Sequence, residues 1–235
     1  MNYKQIDLKE IDSTNSYLKR NWKSLDDMTF VFADYQTNGY GRFDRKWESS
    51  PKNNLLFSLL IKNNGVLKSP EKLTTLFPYI IVYILTYYKI NDVSIKWPND
   101  IYVKNKKICG MIFESQLPNY LIVGVGLNVN QEDALLETAT SISQLKNQKY
   151  DLVKLKSQII NITCDALKNI NSLTQKVNEM YQSKNYLLNK KIEFELNNKK
   201  LVGIVKSVDI ENHLIVDVDG EILSLNSGEV KLIKN

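Results

Sequence analysis

The chain has 235 residues, of which 43% are hydrophobic and 24% charged, values of an ordinary globular protein that exclude a disordered, collagen-like or heptad-dominated chain. Its net charge of +5 is a mild excess spread along the sequence, too dispersed for a nucleic-acid-binding tail. Two widely separated cysteines, Cys109 and Cys164, and a single histidine, His213, argue against a structural zinc site and against a serine or cysteine nucleophile driven by an imidazole.

The N-terminus enters mixed polar sequence without the apolar core of a signal peptide. The longest apolar run, Leu76 to Tyr88, carries Pro78 and is too short to cross ~30 Å of hydrocarbon. The expectation is a cytoplasmic protein with no membrane partner. Along the first 130 residues, strands mix with helices. Alternating or continuous apolar stretches bounded by Asn, Gly or Pro predict strands at Tyr3 to Leu8, Thr29 to Tyr35, Asn54 to Lys62, Val93 to Lys96, Ile108 to Glu114 and Tyr120 to Val129. Helices are predicted at Ser16 to Asn21, capped by Ser13 or Thr14, and at Pro70 to Tyr88 with Glu71 in its first turn. From Leu152 to Leu188 the spacing is helical, with Leu152, Leu155, Ile159, Ile162 and Ala166 on one face.

After Asn189 the pattern changes to five short stretches of strand type, Lys191 to Leu196, Lys200 to Val208, His213 to Asp217, Glu221 to Leu225 and Glu229 to Ile233, separated by turn-forming residues. That is the pattern of a small SH3-like barrel. The predicted organisation is an α+β protein, with a mixed sheet and helices over 1–188 and a barrel over 189–235.

Arginine and glycine are distributed unevenly. Only three of the 31 cationic residues are arginine, and two of them, Arg42 and Arg45, fall in Gly39-Tyr40-Gly41-Arg42-Phe43-Asp44-Arg45-Lys46-Trp47. Glycines let backbone amides approach a ligand, and guanidiniums offer forked donors to phosphate or carboxylate. Neither this segment nor Gly124-Val125-Gly126-Leu127-Asn128 is a phosphate loop or a dinucleotide fingerprint. Taken singly, the glycine segment reads as a hairpin turn, Lys96-Trp97-Pro98-Asn99-Asp100 as a turn, Lys107 as a solvated charge before a strand, and Ser13-Thr14-Asn15 as a helix cap.

Taken in order, these segments, with Gln36 before the first and Gly110, Ile112 and Glu114 after Lys107, resemble the biotin protein ligases over almost the whole chain. Two positions depart from the family's pattern: Tyr40 stands where arginine is usual and Asp44 where glycine is usual. The resemblance implies a class II synthetase-like catalytic fold and a two-step reaction. Biotin and MgATP form biotinyl-5′-AMP and pyrophosphate, and a lysine of a biotin carboxyl carrier protein then takes the biotinyl group. Carried over by position, Ser13, Thr14, Asn15, Gln36, Gly39, Tyr40, Gly41, Arg42, Lys107, Gly110 and Ile112 would bind biotin. Arg42, Arg45, Trp47 and Asn128 would meet the adenylate, and Lys107, Arg42 and Asp100 would carry the chemistry, Asp100 as orienter or general base near the amine.

No metal site made of protein ligands alone is expected, Mg2+ being implied by ATP. The Ser-Thr-Asn segment begins at position 13, which leaves no room for the N-terminal winged helix-turn-helix of some members. The expectation is a monofunctional biotin–[acetyl-CoA-carboxylase] ligase with no specific nucleic-acid partner, and a homodimer stays open. Two alternatives compete: a lipoate or octanoate protein ligase or transferase of related fold, and a non-enzymatic RNA-binding or scaffold protein that uses its barrel.

Overall fold

The computed structural model describes residues 2–62, 69–131, 137–227 and 230–234. A seven-stranded mixed sheet is ordered β1-β2-β3-β7-β6-β5-β4, with β1 (Lys4–Ile11) parallel to β2 (Thr29–Gln36) and the remaining neighbours antiparallel. The other strands are β3 (Asn54–Lys62), β4 (Val93–Lys96), β5 (Asp100–Val103), β6 (Lys106–Gln116) and β7 (Tyr120–Asn128). Helix α1 (Thr14–Asn21) connects β1 to β2, and α2 (Glu71–Tyr87) connects β3 to β4. After β7 come α3 (Ile142–Lys146), α4 (Leu152–Lys168) and α5 (Ile170–Ser183).

The centre of the sheet explains why β3 reads as a continuous apolar run rather than an alternating one. Both of its faces are covered, as near-continuous hydrophobic strands require. Leu55, Phe57, Leu59 and Ile61 join the core that α2, α4 and α5 close. Leu60, on the opposite face, joins Val31, Ile122 and Leu18 of α1. An eight-residue helix is marginal on its own, so α1 depends on this contact. Burial of Leu18, fully inaccessible, contributes about 1.5–3 kcal/mol to it. Its entry is fixed by Ser13, whose side chain accepts a hydrogen bond from the Ser16 amide, so the N-terminal turn is held over the sheet.

A second, five-stranded antiparallel sheet is ordered β11-β10-β9-β8-β12, from β8 (Lys191–Leu196), β9 (Lys199–Val208), β10 (Leu214–Val218), β11 (Glu221–Leu225) and β12 (Val230–Lys234). It has the composition of an SH3-like barrel and packs on the first unit. Phe194, Val205 and Val216 belong to the same apolar cluster as the α2 core, and the Trp97 indole donates to the Asn212 carbonyl at 2.8 Å.

The structure corrects the sequence reading in several places. The helical stretch expected from Leu152 to Leu188 is two helices, broken at Asn169, whose side chain turns back to the Asp165 carbonyl at 2.9 Å. Beyond Ser183 the backbone instead pairs with β4, through Ile95 to Lys184 and Tyr186 to Ile95. Strand β5 was hidden in what reads as a turn: residues 97–99 make the turn and Asp100 opens the strand. Lys107 lies inside β6 rather than before it, and α3 has no counterpart in the apolar pattern. Cys109 and Cys164 are free buried thiols. No helix among the described residues is long and apolar enough to cross a membrane.

Candidate active site

One face of β6 and β7 forms a floor, and strand register explains its shape. Gly110 pairs with Gly126, which pairs with Leu56 on its other side, while Asp100 pairs with Gly110. One rung along the same face, Ile112 pairs with Gly124 and Gly124 with Ser58. Three glycines on adjacent rungs leave a trough where side chains would stand. A Cβ on Gly126 would come within 2.5 Å of the Trp47 ring, and one on Gly124 would fall on the Asn15 amide. Trp47 and the start of α1 therefore occupy space that these glycines vacate.

At one end of the trough the N-terminal turn of α1 presents Ser13, Thr14 and Asn15, each nearly inaccessible. The Thr14 amide donates to Gln36 Oε1 at 2.8 Å, and its hydroxyl lies 3.0 Å from the same oxygen and 2.6 Å from Ser58 Oγ. The Ser58 hydroxyl in turn reaches Asn15 Oδ1, and Asn15 Nδ2 donates to Glu114 Oε2 at 2.7 Å. Ser58, the one hydroxyl in a leucine-rich strand, thus links the α1 turn to the sheet.

The Gly39–Trp47 segment folds over the trough as a narrow hairpin. Trp47 donates to the Gly39 carbonyl at 2.9 Å and Gly41 to the Arg45 carbonyl at 2.7 Å, with Tyr40 and Lys46 bridged. At its tip Phe43 holds φ 56°, the left-handed region that costs a residue with a Cβ roughly 1 kcal/mol or more. Tyr40 reaches sideways to Glu114 at 2.9 Å, and Arg42 donates to the Ser227 carbonyl in the loop after β11.

At the other end, cations gather around a single carboxylate. Lys107 Nζ sits 2.8 Å from Asp100 Oδ1 and 5.4 Å from the centre of the Trp47 ring. Burial pulls Arg42 below its ordinary value, Asp100 opposing the shift and Arg45 adding to it. Lys96 is lowered in the same way, by burial first, with Asp100 favouring its charge and Lys107, Lys190 and Arg45 disfavouring it. Tyr102, beside Lys96, is pushed up to about 12 by burial and by Asp100. Arg42, Lys96 and Lys107 thus share Asp100, with Arg45 as a further cation nearby, and among the described side chains that line the cavity Asp100 is the one carboxylate.

Both ends open into one cavity of about 260 Å³. Of the residues singled out in the sequence, Ser13, Thr14, Asn15, Gln36, Tyr40, Gly41, Arg42, Arg45, Trp47, Asp100, Lys107, Gly110 and Ile112 line it. Gly39 and Asn128 do not. Gly39 forms the base of the hairpin, and Asn128 is buried behind the wall, donating to the Thr140 carbonyl at 3.0 Å. The sequence reading gave no role to Lys96 or Tyr102, which line the cavity, nor to Ser58, Lys19 and Glu114, which brace it. Lys96 and Glu114 stood in the segments that carry the resemblance without being given a role, and Ser58 could have been noticed as a polar residue in an apolar strand.

The model of the Biotin/lipoate A/B protein ligase family matches residues 8–130. Over 132 residues the chain is 36% identical to the bifunctional ligase/repressor BirA of Bacillus spizizenii, a match covering 52% of this chain and 41% of that relative, so the chain spans about two-fifths of its length. It is 24% identical over 246 residues to the biotin–[acetyl-CoA-carboxylase] ligase of Mycobacterium tuberculosis, covering 97% of this chain and 89% of that one. Among solved structures, the biotin protein ligase of Aquifex aeolicus in complex with biotin and ATP superimposes with a TM-score of 0.83 at 28% identity, covering 99% of both chains. The family match takes in more than half of this chain, including the α1 turn, the hairpin and the glycine trough, and the chain therefore belongs to the biotin/lipoate A/B protein ligase family.

Proposed function

We propose that the protein is an AMP-forming biotin–protein ligase, which activates biotin with ATP and transfers it to a lysine of a biotin carboxyl carrier protein. The observation that carries this reading is the two-ended cavity: a hydroxyl- and amide-lined end opposed to cations grouped around one carboxylate. The ureido head of biotin offers two N–H donors and a carbonyl acceptor. Ser13, Thr14 and Asn15 offer the matching groups on a turn already braced by Gln36 and Ser58. The cavity between the α1 turn and Trp47 takes the bicyclic ring system and chain, which lead the carboxylate toward Lys107.

Activation brings a carboxylate to a phosphate, so two anions must be screened and aligned. A biotin carboxylate oxygen attacks the α-phosphorus, the bond from that phosphorus to the bridging oxygen breaks, and pyrophosphate leaves. Arg42, Arg45, Lys96 and Lys107 meet this charge. Arg45 disfavours the charge of Arg42, and Lys107 and Arg45 that of Lys96, so incoming anions relieve a repulsion already present in the free protein. Trp47, whose indole nitrogen is buried without a partner among the described residues, walls the nucleotide side. In the second step the lysine nitrogen attacks the acyl carbon, the carbon–oxygen bond to the phosphate breaks, and AMP leaves. Asp100 orients the amine or accepts its proton.

Mg2+ would accompany ATP. The described residues hold no group of three or more metal-ligating side chains, and the cavity's one described carboxylate is engaged by Lys107, a set suited to an ion carried on the nucleotide's phosphates. Residues 1–188 would form the catalytic unit and 189–235 the barrel, in a cytoplasmic enzyme without a specific nucleic-acid partner. Incubation with biotin, MgATP and a carrier domain should add one biotinyl group to the carrier by mass. Transfer of lipoate in preference to biotin would move the reading to a lipoate ligase, and no transfer of either would overturn it.

A further inference from the structure

We propose that Glu114 is a positioning residue that links recognition of biotin's head group to closure of the Gly39–Trp47 hairpin. This rests on the function proposed above. Glu114 lies on β6 on the same face as Gly110 and Ile112, by strand alternation, and is half-buried. Three donors from two other parts of the chain converge on its carboxylate: Asn15 Nδ2 at 2.7 Å, Lys19 Nζ at 2.8 Å and the Tyr40 hydroxyl at 2.9 Å. Lys19 also lies 5.3 Å from the centre of the Tyr40 ring. Burial alone would raise the Glu114 carboxyl, but hydrogen bonds from Lys19, Asn15 and Tyr40 outweigh it and hold the group below its ordinary value.

An ionised carboxylate accepts hydrogen bonds and donates none. Asn15 must therefore turn its amide nitrogen to Glu114, which fixes its oxygen toward Ser58 and the trough, where a ureido N–H needs an acceptor. A glutamine at 114 could present an amide of its own, and the Asn15 orientation would no longer be imposed. The same carboxylate holds the hairpin through Tyr40, at the position where the chain departs from the family's arginine. One anion thus sets an acceptor inside the site and fastens the segment that covers it.

The test is a double-variant cycle on Glu114→Gln and Tyr40→Phe. Binding of biotin is read by titration calorimetry and release of pre-formed biotinyl-adenylate by stopped flow. Glu114→Gln should weaken biotin binding about tenfold, and Tyr40→Phe should speed adenylate release roughly three- to tenfold, the span of one hydrogen bond to a partly exposed charged group. In the double variant, release should be no faster than in Glu114→Gln alone, because Tyr40 acts through the carboxylate already removed. If Glu114→Gln melts below the assay temperature, Glu114→Asp takes its place in the cycle, since the shorter side chain keeps the charge but draws the carboxylate back from the Tyr40 hydroxyl and Asn15. Wild type that binds no biotin overturns the functional reading and this inference with it. Wild type that binds biotin, with single-variant effects that multiply in the double variant, overturns the inference alone.

Discussion

The two ends of the cavity are built on opposite principles. At the α1 end the polar side chains are already satisfied by one another: Thr14 by Gln36 and Ser58, Asn15 by Ser58 and Glu114. At the hairpin end, Arg42 and Lys96 are buried enough to lose charge stabilisation, and Asp100 is the carboxylate they share with Lys107. The first end is complete before a ligand arrives, whereas the second is completed by one. Rigid, paired groups suit discrimination of a neutral head group, since the mutual hydrogen bonds fix in advance where the remaining donor and acceptor positions lie and a ligand need not order them. An electropositive, under-compensated cluster suits a reaction whose transition state spreads negative charge.

Four measurements would break or sharpen that contrast. The largest effect is expected at the charged end: Lys107→Ala should cost adenylate formation ~2.7–4 kcal/mol, two to three powers of ten in rate of pyrophosphate release, with little change in melting temperature. Near-normal release would remove Lys107 from the chemistry. Arg42→Gly comes next. It deletes the hairpin's fork and its tie to Ser227, so adenylate should escape about ten- to a hundredfold faster, read as biotin incorporated into a bystander protein. Equal bystander labelling by wild type, with synthesis intact in both, would mean that the hairpin is not a cover.

At the paired end, Gly124→Ala should push Asn15 off its position, an overpacking cost of about 1–3 kcal/mol that appears as weaker biotin binding rather than slower chemistry. An unchanged calorimetric titration would show that Asn15 is dispensable. The smallest effect is electrostatic. Glu114 is held below its ordinary 4.5, so its contribution to stability is present above that value and is lost as pH falls through the lower folded value. Wild type should therefore lose melting temperature more steeply than Glu114→Gln as the pH drops below about 4.5, and parallel slopes would show no such contribution.

The sequence made the paired end easier to read than the charged one. Ser13 and Glu71 announce helix starts locally, and the apolar run of β3 with its lone Ser58 states a strand covered on both faces. Periodicity does not say which distant residues will face one another. Glu114 meets Asn15 and Tyr40 only because α1 and the hairpin are laid across β6, and Trp97 finds the Asn212 carbonyl only because the second sheet docks there. Strand β5 escaped notice because Pro98 and Asn99 dominate the local signal while register with β6 decides the structure. The break at Asn169 has neither glycine nor proline to mark it, and an apolar face resumes beyond it with Val177 and Tyr181. Gly39 and Asn128 entered the expected site by motif position, and their places in the backbone put them at its margins.

The pairing of β3 with β7 has a consequence for how the molecule is made. Asn54 lies opposite Asn128 and Lys62 opposite Tyr120, so the middle of the sheet closes a long chain segment that includes α2 and three further strands. Such non-local pairing is slow to nucleate. During synthesis, Ser13, Thr14 and Asn15 emerge long before Gly124, the residue whose missing side chain makes room for Asn15. Until β7 has left the ribosome the α1 turn can lean only on β2 and β3, through Gln36, Ser58, Val31 and Leu60, so this end of the site is assembled in two stages, the second of which supplies Ile122 and the space above Gly124.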